Sequence, residues 1–201
     1  MFGLDQEIAS LASTRPLVAL AVALLLGLRH PLDPDHLAAV AAMARDSRRR
    51  SALIGFSWGA GHATTVLALG VPVVLWEAAL PGGVHQAIEA LIGVVILALG
   101  LRLLLRHHRG ESHAHPHRPP RSLREAYAVG VVHGAGGSAA IGLLLLAAIP
   151  DRGVALAGLL VFALSTALAM GAVAAGLGRG LRALPPAPVG ASVCAFGAWY
   201  L

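Results

Sequence analysis

Long apolar runs, separated by short polar or arginine-rich segments, dominate the pattern of this chain. The runs cover residues 16–45, 51–76, 84–106, 124–149, 153–178 and 188–201. Most of them reach the roughly 20 residues that an α-helix needs to cross the hydrocarbon core of a bilayer. The pattern therefore predicts an all-α fold: a polytopic transmembrane helix bundle of about six spans, built as a single transmembrane domain over residues 1–201.

The two ends of the chain carry weaker signals than the middle. The sixth run would give only about 21 Å of helix at 1.5 Å per residue, which is short of a full crossing. Either that helix begins earlier or the chain stops inside it, and the lack of a polar residue after Tyr200 favours the second interpretation. The N-terminal segment is acidic and lacks the basic start of a signal peptide, so we expect no cleaved leader.

Composition supports the membrane interpretation and excludes several classes of protein. Of the 201 residues, 57% are hydrophobic and 12% are charged, about half the charged share of a soluble domain. A single cysteine excludes a disulfide framework and a thiolate zinc cluster. We therefore expect a multi-pass protein of the cell inner (plasma) membrane, with the lipid bilayer as its surroundings.

The positive charge is arranged in a way that orients the chain. The formal net charge is +5, from fifteen arginines without a lysine, and such a balance could indicate nucleic-acid binding. Apart from Arg29, however, the arginines lie at the ends of apolar runs, twelve of them on one side of the predicted membrane and only Arg15 and Arg152 on the other. The positive-inside rule then places both termini outside and the loop 107–123 in the cytoplasm, with no nucleic acid as partner.

A weak internal repeat relates the two halves of the chain. Residues 27–30 (GLRH) resemble residues 130–133 (GVVH), and residues 99–101 resemble residues 196–198 around a shared glycine. Three spans per half is an odd number, so the halves would have opposite orientations. This is the 3+3 inverted-repeat plan of many secondary transporters. A chance match over four residues is the alternative.

The most informative segment, residues 27–37, interrupts the first apolar run with the letters RHPLDPDH. Each ionised group at the bilayer centre costs at least ~2.5–3.5 kcal/mol, so a cluster of them indicates function. Asp33 followed by Pro34 is a helix-start signal. We therefore predict an interrupted helix whose second half begins at Pro34 and carries His36 in its first turn. The break would turn His30, Asp33 and His36 towards one point.

Imidazole nitrogens combined with carboxylate oxygens suit a divalent first-row metal such as nickel, cobalt or zinc. Asp33 and Asp35 would also offset the charge of an incoming dication. The absence of thiolates from this segment argues against copper(I) or a structural zinc site. The structural alternative is that Arg29 pairs with an aspartate while the histidines cap broken backbone.

Two further histidines lie inside apolar runs. His62 follows Gly61 in the second run, and His133 precedes a glycine-rich segment in the fourth. Each could bind the metal, or could serve packing and hydrogen bonding between helices. The candidate metal ligands are therefore His30, Asp33, Asp35, His36, His62 and His133.

The loop 107–123 holds five histidines within eleven residues. Imidazoles at this density bind divalent metals loosely, so the tract is interpreted as a buffer or a solvated loop and not as part of the site.

At the interrupted segment the sequence resembles the nickel/cobalt permease family of secondary transporters (NiCoT type). The family hallmark is typically R-H-A-x-D-A-D-H-I, and here it reads RHPLDPDHL, from Arg29 to Leu37. A second family motif, glycine-histidine followed by small or hydroxyl residues, is matched at residues 61–64. The resemblance implies that these histidines and aspartates bind the metal during its passage.

Two departures indicate a compact form of that family. The family's later aspartate-threonine-alanine-threonine-glutamate run is absent, and the sequence VHGAGGSAA occupies that region. The chain also has six predicted spans, whereas eight are typical of the family. Both features resemble the compact permeases related to urease-accessory membrane proteins, often grouped with the TauE-type superfamily.

The sequence thus predicts a secondary transporter that carries Ni²⁺, or Co²⁺, across the cytoplasmic membrane in the direction of uptake. The metal is its substrate, and no cofactor is expected. The alternative is an exporter of the same fold, for metal or for a sulfur oxyanion such as sulfite, with Arg29 and helix N-termini facing an anion. Two aspartates beside Arg29 disfavour an anion site. Neither a P-loop nor an H-E-x-x-H motif occurs, so no enzyme is expected.

Overall fold

The structure, a computed structural model, describes residues 16–46, 50–76, 82–108, 122–135, 146, 148–180 and 186–200, and their regular elements are all helices. A 3-10 turn, His30–Leu32, joins the first two of the α-helices, which are α1 Pro16–Arg29, α2 Pro34–Asp46, α3 Ser51–Trp76, α4 Gly82–His108, α5 Leu123–His133, α6 Arg152–Gly180 and α7 Pro186–Tyr200. The all-α prediction is confirmed for this part of the chain. Most of the predicted loop 107–123, and residues 136–145 of the fourth run, lie outside the described residues.

Two of the described helices, α3 and α6, are long and apolar enough to cross a membrane. A third span results if α1 and α2, which meet at an angle of 57°, are counted as one bent crossing. Helices α4 and α7 hold shorter apolar stretches, Ala90–Leu105 and Ala187–Trp199. The protein is therefore a membrane protein with two to three candidate spans among the described residues, and the count of six remains a prediction.

The distribution of polarity is that of a protein surrounded by lipid. Leu160, Leu164 and Leu168 lie four residues apart on one face of α6 and are 49%, 55% and 63% exposed. The most deeply buried side chains, in contrast, include several histidines. An apolar exterior around polar interior groups follows when the solvent is hydrocarbon, because polar groups then find partners only inside the protein.

Local sequence signals explain where several helices begin and end. Ser122 caps α5, because its hydroxyl accepts a hydrogen bond from the Glu125 amide at 3.1 Å, and Asp151 caps α6 by accepting from the Val154 amide at 2.9 Å. Helix α4 runs to His108, two residues beyond the predicted end of the third apolar run. The helix continues past the apolar pattern because neither glycine nor proline occurs between Gly100 and Gly110.

Helix α3 lies at the centre of the described fold. It packs closely against α6 on one side and α5 on another, while α1 packs on α6 and α4 packs on α7. One apolar core lies between α1, α3 and α6, and a second joins α2 to its neighbours from α3 to α7. The break between α1 and α2 therefore faces the middle of α3, where His62 lies.

Candidate metal centre

The predicted interruption of the first helix is confirmed, and it begins and ends where the prolines indicate. Asp33 has extended backbone (φ −65°, ψ 144°), and its carbonyl accepts the first hydrogen bond of α2 from the Leu37 amide at 2.9 Å. In a continuous helix His30 and His36 would lie about 9 Å apart along the axis and on different faces. The break instead brings their ring centroids to 4.3 Å.

Glycines allow α3 and α5 to meet backbone to backbone, which brings their histidines together. A Cβ on Gly130 would collide with the carbonyl oxygen of Trp58, and one on Gly134 would lie 2.5 Å from the carbonyl oxygen of His62. Any larger residue at these positions would push the helices apart, because backbone atoms cannot rotate away. His62 and His133 thereby enter the same site as the interrupted segment.

Five of the six predicted ligands form one buried cluster, in which each residue is at most 5% exposed: His30, Asp35, His36, His62 and His133. The Nε2 atoms of His30 and His62 lie 3.0 Å apart. Asp35 places its Oδ2 3.2 Å from Nε2 of His133 and its Oδ1 3.1 Å from Nδ1 of His36. We call these five residues the buried cluster.

The sixth predicted ligand, Asp33, lies beside the buried cluster. Its Oδ2 is 3.5 Å from Nδ1 of His30, and its Oδ1 is 3.5 Å from a guanidinium nitrogen of Arg29, which is 72% exposed. The Nε2 of His30 points the other way, towards His62. Asp33 therefore faces the outer edge of the His30 ring, in the position of a carboxylate that orients a metal-binding histidine.

Several polar atoms of the cluster lack a hydrogen-bond partner within the part of the chain that the structure describes. These atoms are both ring nitrogens of His36, Nδ1 of His62 and Nδ1 of His133, together with Nε1 of Trp58. Buried polar atoms in proteins are nearly always satisfied, so each exception calls for an explanation. A bound cation supplies one for histidine nitrogens, because a neutral imidazole nitrogen can offer its lone pair to a metal.

The geometry of the cluster fits a transition-metal ion. Two groups of residues, one of His30, His36 and His62 and the other of Asp35, His36 and His133, have ligand atoms within 4.8 Å of one another. With metal–nitrogen bonds of about 2.1 Å, ligands at right angles lie about 3.0 Å apart. The contacts between His30 and His62 and between Asp35 and His133, at 3.0 and 3.2 Å, are close to that spacing.

Two aromatic residues of the site were missed by sequence reasoning. Trp58 is fully buried, with its ring 5.5 Å from His36 and 5.6 Å from His133, and Phe162 lies 5.4 Å from His30. Trp58 could have been found, because it precedes His62 by four residues and so shares its helix face. Phe162 has no such signal, since it lies on α6 in an unbroken apolar sequence.

His108 is exposed at the end of α4. His113, His115 and His117 of the predicted loop lie outside the described residues.

Comparison with known proteins identifies one similar chain of moderate identity. A urease accessory protein, UreH of Bacillus sp. (strain TB-90), is 28% identical over 164 residues, which cover 75% of this chain and 72% of that protein. No protein-family profile matches the chain. No solved structure matches it either.

Proposed function

We propose that this protein is a secondary transporter that takes up Ni²⁺, or Co²⁺, across the cytoplasmic membrane. The observation that carries the proposal is the buried cluster, where four histidines and one carboxylate from α2, α3, α5 and the turn after α1 converge inside a membrane protein. Placing such groups in lipid-surrounded helices is costly, and substrate pathways are the usual reason for it. Nitrogen-rich sites with one carboxylate suit nickel and cobalt better than magnesium or calcium.

The relative found by comparison supports the same interpretation. Its name describes a urease accessory protein, and the sequence resemblance was to compact permeases related to urease-accessory membrane proteins. The name also agrees with the prediction that this chain is not an enzyme. We infer that the cargo is a metal and not an anion, because Asp35 and four imidazoles offer lone pairs inside the cluster while Arg29 points away from it.

The 3+3 inverted repeat remains part of the proposal, and reciprocal contacts support it. Gly100 on α4 lies against Cys194 on α7, and Gly197 on α7 lies against Leu97 on α4. Gly197 lies 97 positions after Gly100, and Cys194 lies 97 positions after Leu97. The second contact is therefore the first one with the roles of the two helices exchanged. Contacts that repeat in this exchanged manner are the mark of a two-fold axis between equivalent elements.

A second exchanged pair lies at the candidate site itself. The ring of His30 contacts Phe162 on α6 at 5.4 Å, and the ring of His133 contacts Trp58 on α3 at 5.6 Å. His30 follows Gly27 by three residues, as His133 follows Gly130. The proposed axis would pass through the buried cluster, which is where inverted-repeat transporters hold their substrates.

Uptake by the purified protein in liposomes tests the proposal. Vesicles containing the protein should accumulate Ni²⁺ and Co²⁺ above the level of protein-free vesicles, and they should not carry sulfite. His36→Ala should reduce metal uptake to the protein-free level, because that ring is fully buried and contacts both parts of the cluster. Sulfite flux without metal flux, or wild-type uptake by the His36 variant, would refute the proposed function.

Binding can be followed separately from transport through Trp58. Replacing Trp76 and Trp199, which are 71% and 78% exposed, by phenylalanine leaves Trp58 as the tryptophan reporter of the site. Ni²⁺ should then quench the fluorescence in the otherwise unchanged protein, and it should not do so in the His36→Ala variant. Equal quenching in both proteins would exclude the cluster as the binding site.

A further inference from the structure

The buried cluster is two overlapping groups of ligands that meet at one side chain. His30, His36 and His62 form the first group, and Asp35, His36 and His133 form the second. His36 belongs to both, and it is buried. The two groups differ in charge, because the first contains only neutral imidazoles when it binds a metal, whereas the second contains a carboxylate.

His36 is suited to serve both groups because an imidazole has two nitrogens on different edges of its ring. Its Nδ1 lies 3.1 Å from Oδ1 of Asp35, on the side of the second group. Its ring stands 4.3 Å from that of His30, 5.2 Å from that of His62 and 4.6 Å from that of His133, so it contacts histidines of both groups. Nε2 makes no hydrogen bond to another described residue, and the approach of Nδ1 to Asp35 is an ion-pair contact and not a formed hydrogen bond.

We infer that the cluster holds two metal subsites that are used one at a time, and that the transported ion passes between them by exchanging one nitrogen of His36 for the other. This inference rests on the proposed function, because it takes the ion to be the cargo. Two dications on the two nitrogens of one buried ring would repel each other strongly, since little water is present to screen them. Occupancy of one subsite therefore excludes the other.

The exchange conserves the single proton of a neutral His36 ring. When the ion is bound through Nε2 with His30 and His62, the proton sits on Nδ1 and can be donated to Asp35, an arrangement common around metal-binding histidines. When the ion is bound through Nδ1 with Asp35 and His133, the proton sits on Nε2. The charged subsite holds a dication more strongly, and the uncharged subsite releases it more easily.

Co²⁺ binding to the purified full-length protein in detergent tests this division, because the visible absorption of Co²⁺ depends on its ligands. The wild-type protein should retain one Co²⁺ per chain after gel filtration. His62→Ala should still retain one Co²⁺ with nearly the wild-type spectrum and affinity, because it leaves the charged subsite intact. His133→Ala should retain one Co²⁺ in the uncharged subsite, with a different spectrum and an affinity lowered by about 10- to 100-fold. His36→Ala should retain none.

Transport separates two subsites in series from a single site. Both single variants should bind Co²⁺ but should not transport it, because each lacks one of the two subsites. His62→Gln and His133→Gln, which keep the side-chain size, provide the same comparison if an alanine variant fails to fold. Cys194→Ser is the matched control, because it removes the one thiol of the chain, which lies outside the cluster. It should leave the number of bound Co²⁺ ions, their spectrum and the rate of Co²⁺ transport unchanged.

Three results would overturn the inference. These are loss of all Co²⁺ binding in either folded single variant, two tightly held ions per wild-type chain, or wild-type flux in either single variant. If the wild-type protein moves Co²⁺ while one of these results is found, only the two-subsite inference fails. If the wild-type protein neither binds nor moves Co²⁺ or Ni²⁺, the proposed function fails with it.

Discussion

At the scale of single residues, the two aspartates of the interrupted segment have different surroundings and so different expected roles. Asp35 lies inside the buried cluster and contacts His36 and His133. Asp33 lies between the exposed guanidinium of Arg29 and the outer nitrogen of His30. A carboxylate in the second position steers the histidine ring without necessarily touching the ion.

We expect Asp33→Asn and Asp35→Asn to affect transport differently. Asp33→Asn should raise the apparent KM for Ni²⁺ by about 10- to 100-fold and largely spare the maximal rate, because it weakens only the orientation of His30. Asp35→Asn should abolish uptake, because it removes the one carboxylate of the cluster. Uptake measured over a range of Ni²⁺ concentrations distinguishes the two effects. Asp33→Glu should recover much of the affinity, and equal loss of rate in both asparagine variants would make Asp33 a direct ligand.

At the scale of helices, the site depends on how closely α3 approaches α5. The close approach is made at glycines, where an added Cβ would meet backbone atoms of the other helix. Helix propensity alone would favour alanine over glycine at each of these positions. Glycine therefore occupies these positions against local preference, because the close approach of the two helices requires it.

The pair Gly130→Ala and Gly176→Ala tests this packing. A Cβ at Gly130 collides with the Trp58 carbonyl, so that variant should lose about 1–3 kcal/mol of stability, as overpacked interiors do, and should bind Ni²⁺ more weakly. A Cβ at Gly176 meets no atom within 4 Å, so the second variant should keep or gain up to about 1 kcal/mol. Thermal unfolding in detergent measures both, and matching melting temperatures would disprove the proposed role of Gly130.

At the scale of the whole molecule, orientation in the membrane follows from charge and not from packing. Twelve arginines lie on the side predicted to be cytoplasmic and two on the other. In an inverted repeat of three spans per half, the two halves have opposite orientations in the membrane. Measuring the orientation of one half therefore gives that of the other. The direction of transport is defined only relative to that orientation.

Cysteine labelling measures the orientation directly. In a Cys194→Ser background, Ser112→Cys should react with an impermeant thiol reagent only after the membrane is opened, because the positive-inside rule places that loop in the cytoplasm. Gly82→Cys, at the start of α4, should react in intact cells. Labelling in the reverse order would place both termini inside and make the histidine-rich loop an external collector of metal.

The sequence alone determined those features of this protein that depend on local chemistry. Long apolar runs indicated membrane helices because hydrocarbon burial is decided residue by residue. The break after Arg29 was predictable because Pro31 and Pro34 limit backbone conformation wherever they occur. The same segment identified His30, Asp33, Asp35 and His36 as candidate ligands, because ionisable groups are rare in such surroundings.

Only the tertiary structure decided which of the candidate residues share a site and what each one faces. His62 and His133 are distant in sequence from the break, and they join it through glycine contacts between α3 and α5 that no local pattern specifies. The placement of Asp33 outside the cluster depends on a bend of 57°, which the prolines permit but do not set. Proximity between distant segments is fixed by packing of the whole chain, and for that reason the double use of His36 could not be seen in the sequence.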